Sequence, residues 1–231
     1  MKLFCFTYAG GTGEFFNILN PGLDSKIITV CPDYAGHGKR YKEPFYLNFK
    51  QLAEDLYQII VRETIEDPDY ALLGYSMGCI SVVEVLRIIL ERKEIVQPKR
   101  IFLFAHEPHT KADLSDYDSG EQDDLVKERT IRFGGLSESM INNRVFWRMQ
   151  LPIFRADYGL IGKYDFEELH LISDIPVTVF YSETDTPKED MLSWRRYFTK
   201  CEFLSYTGNH FFIKEHPAEI TEVIVNRLVS E

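Results

Sequence analysis

The sequence predicts an α/β fold, a mainly parallel six-stranded sheet with helices on both faces and a helical lid insertion. Three observations predict it. Short apolar runs near residues 3–8, 27–32, 70–75, 100–105, 177–181 and 201–206 have the length and side-chain content of strands buried on both faces. Segments of helical spacing separate most of these runs, and strands alternating with helices build parallel sheets covered on both sides. Residues 70–79, Tyr-Ala-Leu-Leu-Gly-Tyr-Ser-Met-Gly-Cys, pass from a strand through Gly-x-Ser-x-Gly into a helix. Right-handed crossovers then give the strand order 2-1-3-4-5-6.

Leu3 to Tyr8 is the first strand, and Ala9-Gly10-Gly11-Thr12-Gly13 follows as a glycine-rich loop opening a helix near Phe15. This loop lacks the Gly-Lys-Ser/Thr of a phosphate loop and the spacing of a dinucleotide fingerprint. It can instead supply backbone N–H groups, with Ala9 the candidate donor. Ile27 to Pro32 is the second strand, followed by a turn-rich, locally basic loop from Asp33 to Arg40. Phe49, Leu52, Leu56, Ile59 and Ile60 recur at helical spacing, with Asn48 placed to cap that helix. The helix after the Gly-x-Ser-x-Gly continues from Ser81 to Arg92, and Arg100 to Ala105 is the fourth strand.

After His109 the pattern changes. Residues 113 to 124 are acidic and poor in apolar side chains, which predicts a solvated, mobile stretch. Residues 125 to 166 read as helical and aromatic-rich, as a lid over a sheet edge would be, with packing the first role of each ring. Alternation resumes with a strand at 177–181, a helix at 188–198, a strand at 201–206 and a closing helix at 218–229.

A chain of 231 residues is expected to form one domain, 1–231, with the lid over about 110–170. Its formal charge of −10 opposes nonspecific attraction to nucleic acid or anionic lipid. The apolar start is too short for a signal peptide and no stretch reaches the roughly 18 apolar residues of a spanning helix, so a cytoplasmic, monomeric protein is expected. Cys5, Cys31, Cys79 and Cys201 form no Cys-x-x-Cys pair, which argues against disulfides and a thiolate metal site. His106 and His109 are three apart with Pro108 between them, unlike the helical i, i+4 pair of a zinc motif. No metal and no cofactor are expected.

Ser76 sits on the strand-to-helix turn, the geometry of a nucleophile elbow, where Gly74 and Gly78 permit close packing and the Met77 N–H faces a developing oxyanion. A serine hydroxyl needs a base and an orienting acid. His210, in the loop leaving the last strand, fits the base better than His216, which precedes Pro217. Asp185, after the fifth strand, is the candidate acid. Glu183 and Asp190 lie near it, and Glu107 occupies the corresponding edge after the fourth strand. His106, His109 and His170 are expected to be structural or exposed.

Tyr8-Ala9-Gly10-Gly11, Gly74-Tyr75-Ser76-Met77-Gly78, Leu151-Pro152-Ile153-Phe154-Arg155-Ala156-Asp157, the Asp185 segment and Gly208-Asn209-His210-Phe211-Phe212 together resemble a type II thioesterase of nonribosomal peptide and polyketide assembly lines, an α/β-hydrolase family. The resemblance runs over nearly the whole chain. It implies a stand-alone editing enzyme that hydrolyses misprimed or stalled acyl and aminoacyl groups from the phosphopantetheine arm of acyl- or peptidyl-carrier proteins, the phosphopantetheine belonging to the carrier. Thr7, Tyr75 and Tyr34-Ala35-Gly36-His37-Gly38 depart from the usual family pattern. Alternatives are a small-molecule carboxylesterase with the same site and a non-catalytic hydrolase-fold binding protein. Lys39, Arg40, Lys42, Arg144, Arg148 and Arg155 are the candidates for phosphate or carrier contacts, since two acidic bodies have no long-range attraction and need local complementarity.

Overall fold

The computed structural model describes residues 1–109 and 123–229. Six strands form one sheet: β1 (Lys2–Phe6), β2 (Ile28–Val30), β3 (Tyr70–Tyr75), β4 (Ile101–Phe104), β5 (Val177–Tyr181) and β6 (Cys201–Ser205). They lie in the order β2-β1-β3-β4-β5-β6 and every neighbouring pair is parallel, as the alternating pattern predicts. The helices are α1 (Phe49–Glu63), α2 (Met77–Arg92), α3 (Asp123–Arg132), α4 (Glu138–Ile141), α5 (Arg144–Ile161), α6 (Lys188–Met191) and α7 (Pro217–Val229). Apart from Asp123 and Asp124, the acidic stretch 113–124 lies outside the described residues.

Successive side chains of a strand face opposite ways, and β1 puts that alternation to use. Phe4 and Phe6 bury into one layer with Leu56 and Ile60 of α1 and Val83 and Leu86 of α2. Leu3 and Cys5 bury into the other with Phe16, Leu19 and, from α7, Ile220 and Ile224. Covered on both faces, β3 and β4 are buried at every position, which is why they read as unbroken apolar runs. Asn48 caps α1 as its sequence position suggests: its side chain accepts the Gln51 N–H at 3.0 Å, a bond of about 1 kcal/mol in such caps.

Two predicted helices take another form. Residues 13–22 wind as a 3₁₀ helix ending at Pro21 and Gly22, too tight and short to continue as an α-helix. The predicted helix 188–198 divides into α6 and a 3₁₀ stretch, Leu192–Arg196, built around the buried Trp194. The indole Nε1–H donates to the His106 carbonyl at 2.8 Å, which ties this segment to the loop after β4.

Because all strands run the same way, the loops leaving their carboxyl ends gather on one edge. That edge collects Ala9–Gly11 after β1, Ser76 after β3, Ala105–His109 after β4, Ser182–Thr186 after β5 and Gly208–His210 after β6. Helices α3 to α5 contribute the wall opposite. Among the described residues no helix is long and apolar enough to cross a membrane.

Candidate active site

Ser76 has φ 53° and ψ −118°, a conformation that a non-glycine residue adopts only when its surroundings hold it there, at a cost of order 1–3 kcal/mol. The surroundings are tight. A Cβ on Gly74 would lie 2.4 Å from the Gly78 carbonyl oxygen, and one on Gly78 would lie 2.0 Å from the Phe6 carbonyl oxygen. The two glycines therefore let α2 descend directly onto β1 and β3. The Ser76 N–H is fixed by the Phe104 carbonyl at 2.8 Å.

The three side chains singled out by sequence meet here. His210 Nε2 lies 2.9 Å from Ser76 Oγ, and His210 Nδ1 lies 2.8 Å from Asp185 Oδ2. With a carboxylate as its partner Nδ1 carries the proton, so Nε2 is the acceptor for the Ser76 hydroxyl. The Ser182 and Thr184 hydroxyls both donate to the Gly208 carbonyl, joining the loop of the acid to the loop of the imidazole. Tyr75 Oη donates to the His210 carbonyl at 2.7 Å. From the lid side, the Phe133 ring covers His210 with a centroid separation of 4.5 Å.

Met77 opens α2, so its N–H has no intrahelical acceptor, and among the described residues neither it nor the Ala9 N–H makes a hydrogen bond. The Ala9 loop is held from above. Gly10, at φ 78°, donates its N–H to Asp157 Oδ2 on α5 at 2.7 Å, and the same carboxylate receives His37 Nε2 at 2.9 Å. His37 Nδ1 lies 3.0 Å from the Ala35 carbonyl. Both partners of this imidazole are acceptors, so only the doubly protonated ring satisfies them. Burial opposes that charge, but Asp157, Ala35 and Asp33 outweigh it and raise the His37 pKa. His37, read from sequence as part of a basic loop, and Asp157, quoted without a role, thus join the loop of the candidate oxyanion donor to the lid.

A cavity of about 270 Å³ extends from Ser76 beneath the lid. Leu136, Met140, Phe146 and Phe154 line it from the lid, and His106, Glu107 and Thr186 from the sheet edge. His106 and His109, expected to be structural or exposed, both line the cavity, because the chain turns into it after β4. Burial holds His106 well below the usual imidazole range, leaving it neutral. His170 is exposed as expected, and His216 is occupied with Thr207 at the surface. Among the described residues no group of three or more His, Cys, Asp and Glu is placed to hold a metal ion.

The basic candidates divide. Lys39, Lys42, Arg144 and Arg148 are exposed. Arg40 is withdrawn from a docking role: its guanidinium is engaged by Glu43 and Asp55, with the Tyr46 hydroxyl alongside. Arg155 is paired with Asp123.

An elbow serine, an imidazole in contact with it, a carboxylate behind the imidazole and two free N–H groups can together carry acyl transfer. Comparison with known proteins agrees. Gramicidin S biosynthesis protein GrsT of Aneurinibacillus migulanus is 28% identical over 236 residues, covering 99% of this chain and 89% of its own. The medium-chain S-acyl fatty acid synthase thioesterase of Rattus norvegicus is 26% identical over 216 residues, covering 92% of this chain and 81% of its own. Among solved structures, the RedJ thioesterase from the prodiginine biosynthetic pathway in Streptomyces coelicolor superposes with a TM-score of 0.87 at 27% identity, covering 98% of this chain and 85% of its own. Residues 1–228 match the thioesterase domain, and the chain belongs to the thioesterase family.

Proposed function

We propose that this protein is a type II thioesterase that removes acyl and aminoacyl groups from the phosphopantetheine arm of carrier proteins in a peptide or polyketide assembly line. The observation that carries this reading is the continuous hydrogen-bonded chain Ser76, His210, Asp185, with separations of 2.9 and 2.8 Å, at the mouth of a covered cavity. The similarity to GrsT and to RedJ, both from biosynthetic pathways, supports the choice of substrate.

In this mechanism Ser76 Oγ attacks the thioester carbonyl carbon while its proton passes to His210 Nε2. Asp185 accepts the hydrogen bond from Nδ1–H and stabilises the imidazolium. The carbonyl oxygen becomes an oxyanion that the N–H groups of Met77 and Ala9 face. Donors of this kind contribute about 3–4 kcal/mol each to the barrier when removed one at a time. The C–S bond then breaks, and the pantetheine thiol leaves with the proton from Nε2. Water adds to the acyl-enzyme with His210 as base, and the carboxylic acid departs as Ser76 recovers its proton.

The test is intact-mass measurement of a set of acylated carrier proteins before and after incubation with the protein, beside a chromogenic ester. Loss of the acyl mass at a rate far above ester hydrolysis is the expected result. Turnover of the ester alone would support a small-molecule carboxylesterase instead.

A further inference from the structure

The wall of the cavity is chemically uneven. On the lid side it is mainly apolar, with Thr130, Gln150 and Tyr158 as its polar side chains, and on the sheet-edge side it presents Glu107, His106 and Thr186. Glu107 is not part of the hydrogen-bonded chain at Ser76, because Asp185 and Ser76 already occupy both ring nitrogens of His210. Its side chain accepts from Thr186 Oγ1 at 3.4 Å, the weak end of the range, and its own backbone N–H also steadies the carboxylate. Among the described residues no Lys or Arg lines the cavity, and the other acid there is Asp185. Burial first, and then the Asp185 charge, push the Glu107 carboxyl above its ordinary range.

Two neighbouring features point the same way. His106 Nε2 is buried with no hydrogen-bond partner among the described residues. Ala105, which turns the chain from β4 into this wall, has φ 52°, a strained value for a residue with a Cβ. A half-buried carboxyl with weak partners and a buried neutral imidazole nitrogen with none are costly until something donates to them. An alkyl group donates nothing. A second carboxylate would face two acids and no cation. An amine, with several N–H donors and a positive charge that favours the ionised form of a neighbouring carboxyl, meets both needs.

We propose that Glu107, with His106 beside it, is a specificity residue that accepts hydrogen bonds from an amine carried on the acyl group, so that amine-bearing acyl thioesters are selected over alkyl and carboxylated ones. This inference rests on the thioesterase reading above, and the experiment keeps the two apart. The probes are the pantetheine thioesters of alanine, β-alanine and 4-aminobutyrate. Each is paired with the alkyl thioester in which a methyl replaces the amine, namely isobutyryl, butyryl and pentanoyl. The measured quantity is the amine-to-alkyl ratio of kcat/KM in the wild type and in Glu107→Gln. At the chain length whose amine reaches Glu107, the ratio is expected to fall roughly tenfold in the variant, the value of one charge-assisted hydrogen bond. Should Glu107→Gln fail to fold, Glu107→Met supplies the same uncharged comparison. A ratio within about twofold of wild type at every length, with alkyl thioesters still cleaved, overturns the assignment of Glu107 and leaves the thioesterase reading standing. Wild-type protein that cleaves none of the probes or any acylated carrier overturns both.

Discussion

The Tyr75 hydroxyl donates to the backbone carbonyl of His210 at 2.7 Å, so the residue immediately before Ser76 anchors the loop that delivers the imidazole. Both residues are buried, and the Tyr75 ring stacks between Phe104 and Phe211 with interplanar angles of 15° and 10°. Removing the hydroxyl leaves a buried carbonyl without this donor while keeping the ring packing. Tyr75→Phe is therefore expected to lower stability by about 1–3 kcal/mol. Displacement of His210 by a fraction of an ångström is expected to reduce kcat roughly tenfold or more with little change in KM. Thermal melting and steady-state kinetics check the two halves separately. Full kcat in the variant would mean that the Ser182 and Thr184 bonds to Gly208 hold the loop alone.

The positions of the two acids set a second expectation. Asp185 contacts His210 at 2.8 Å, whereas Glu107 lies off the imidazole and accepts from the Thr186 hydroxyl. Ser76→Ala and His210→Ala are expected to lower turnover by a factor of order 10⁴ or more with the fold retained. Asp185→Asn is expected to be severe as well, since it removes the carboxylate that fixes the Nδ1–H tautomer. Rates for Asp185→Asn and Glu107→Gln on one alkyl thioester decide the assignment. A greater loss in Glu107→Gln would transfer the acid's role to Glu107.

How much of this was legible in the sequence depended on whether the sheet topology alone fixes where a residue ends up. The strands were legible because a strand buried on both faces must be apolar at every position, as β3 and β4 are. Ser76, Asp185 and His210 were legible because a parallel sheet puts the ends of β3, β5 and β6 on one edge whatever lies between. His37 was not. Its partner Asp157 is 120 residues away on a lid helix, and no local pattern links a loop histidine to such a site. Arg40 was misread for the same reason in miniature: basic residues in a loop look free until Asp55, 15 residues on, is seen to claim one. His106 could have been found, since it stands at the carboxyl end of β4, the edge position that Glu107 shares.

The His37 and Asp157 pair gives a pH dependence whose sign is fixed. Its imidazole faces the Asp157 carboxylate and the Ala35 carbonyl, with Asp33 nearby, and its folded pKa is raised above the ordinary 6.5. The pair therefore contributes fully below the unfolded pKa, and its contribution is lost as pH rises through the folded value. His37→Phe is expected to destabilise the protein by about 3–5 kcal/mol at pH 6, the usual cost of breaking a buried pair, because the Asp157 carboxyl is left buried without its imidazole partner. The gap between wild type and variant should narrow at pH 9, which denaturant titrations at both pH values would measure. An equal gap at both would show that neutral His37 holds Asp157 as well as the imidazolium does.

The last expectation concerns the carrier. At −10 this chain offers no long-range attraction to an acidic partner, so docking has to use local positive charge near the cavity. The ion pairs of Arg40 and Arg155 remove both from the candidates. Lys39 and Lys42 remain on the loop after β2, and Arg144 and Arg148 remain exposed on α5, on either side of the cavity-lining Phe146. If these cations receive the carrier, reversing Arg144 and Arg148 to Glu raises KM for an acyl-carrier protein several-fold and leaves kcat unchanged. Added salt shrinks the difference, because exposed charges are screened over about 10 Å at 0.1 M ionic strength. Hydrolysis of the same acyl group on free pantetheine serves as the reference, since it bypasses the carrier surface. The Lys39 and Lys42 reversal, measured in parallel, tells which side of the cavity the carrier approaches. Equal losses on carrier and pantetheine substrates would place the damage in the site, and the docking surface would have to be sought elsewhere.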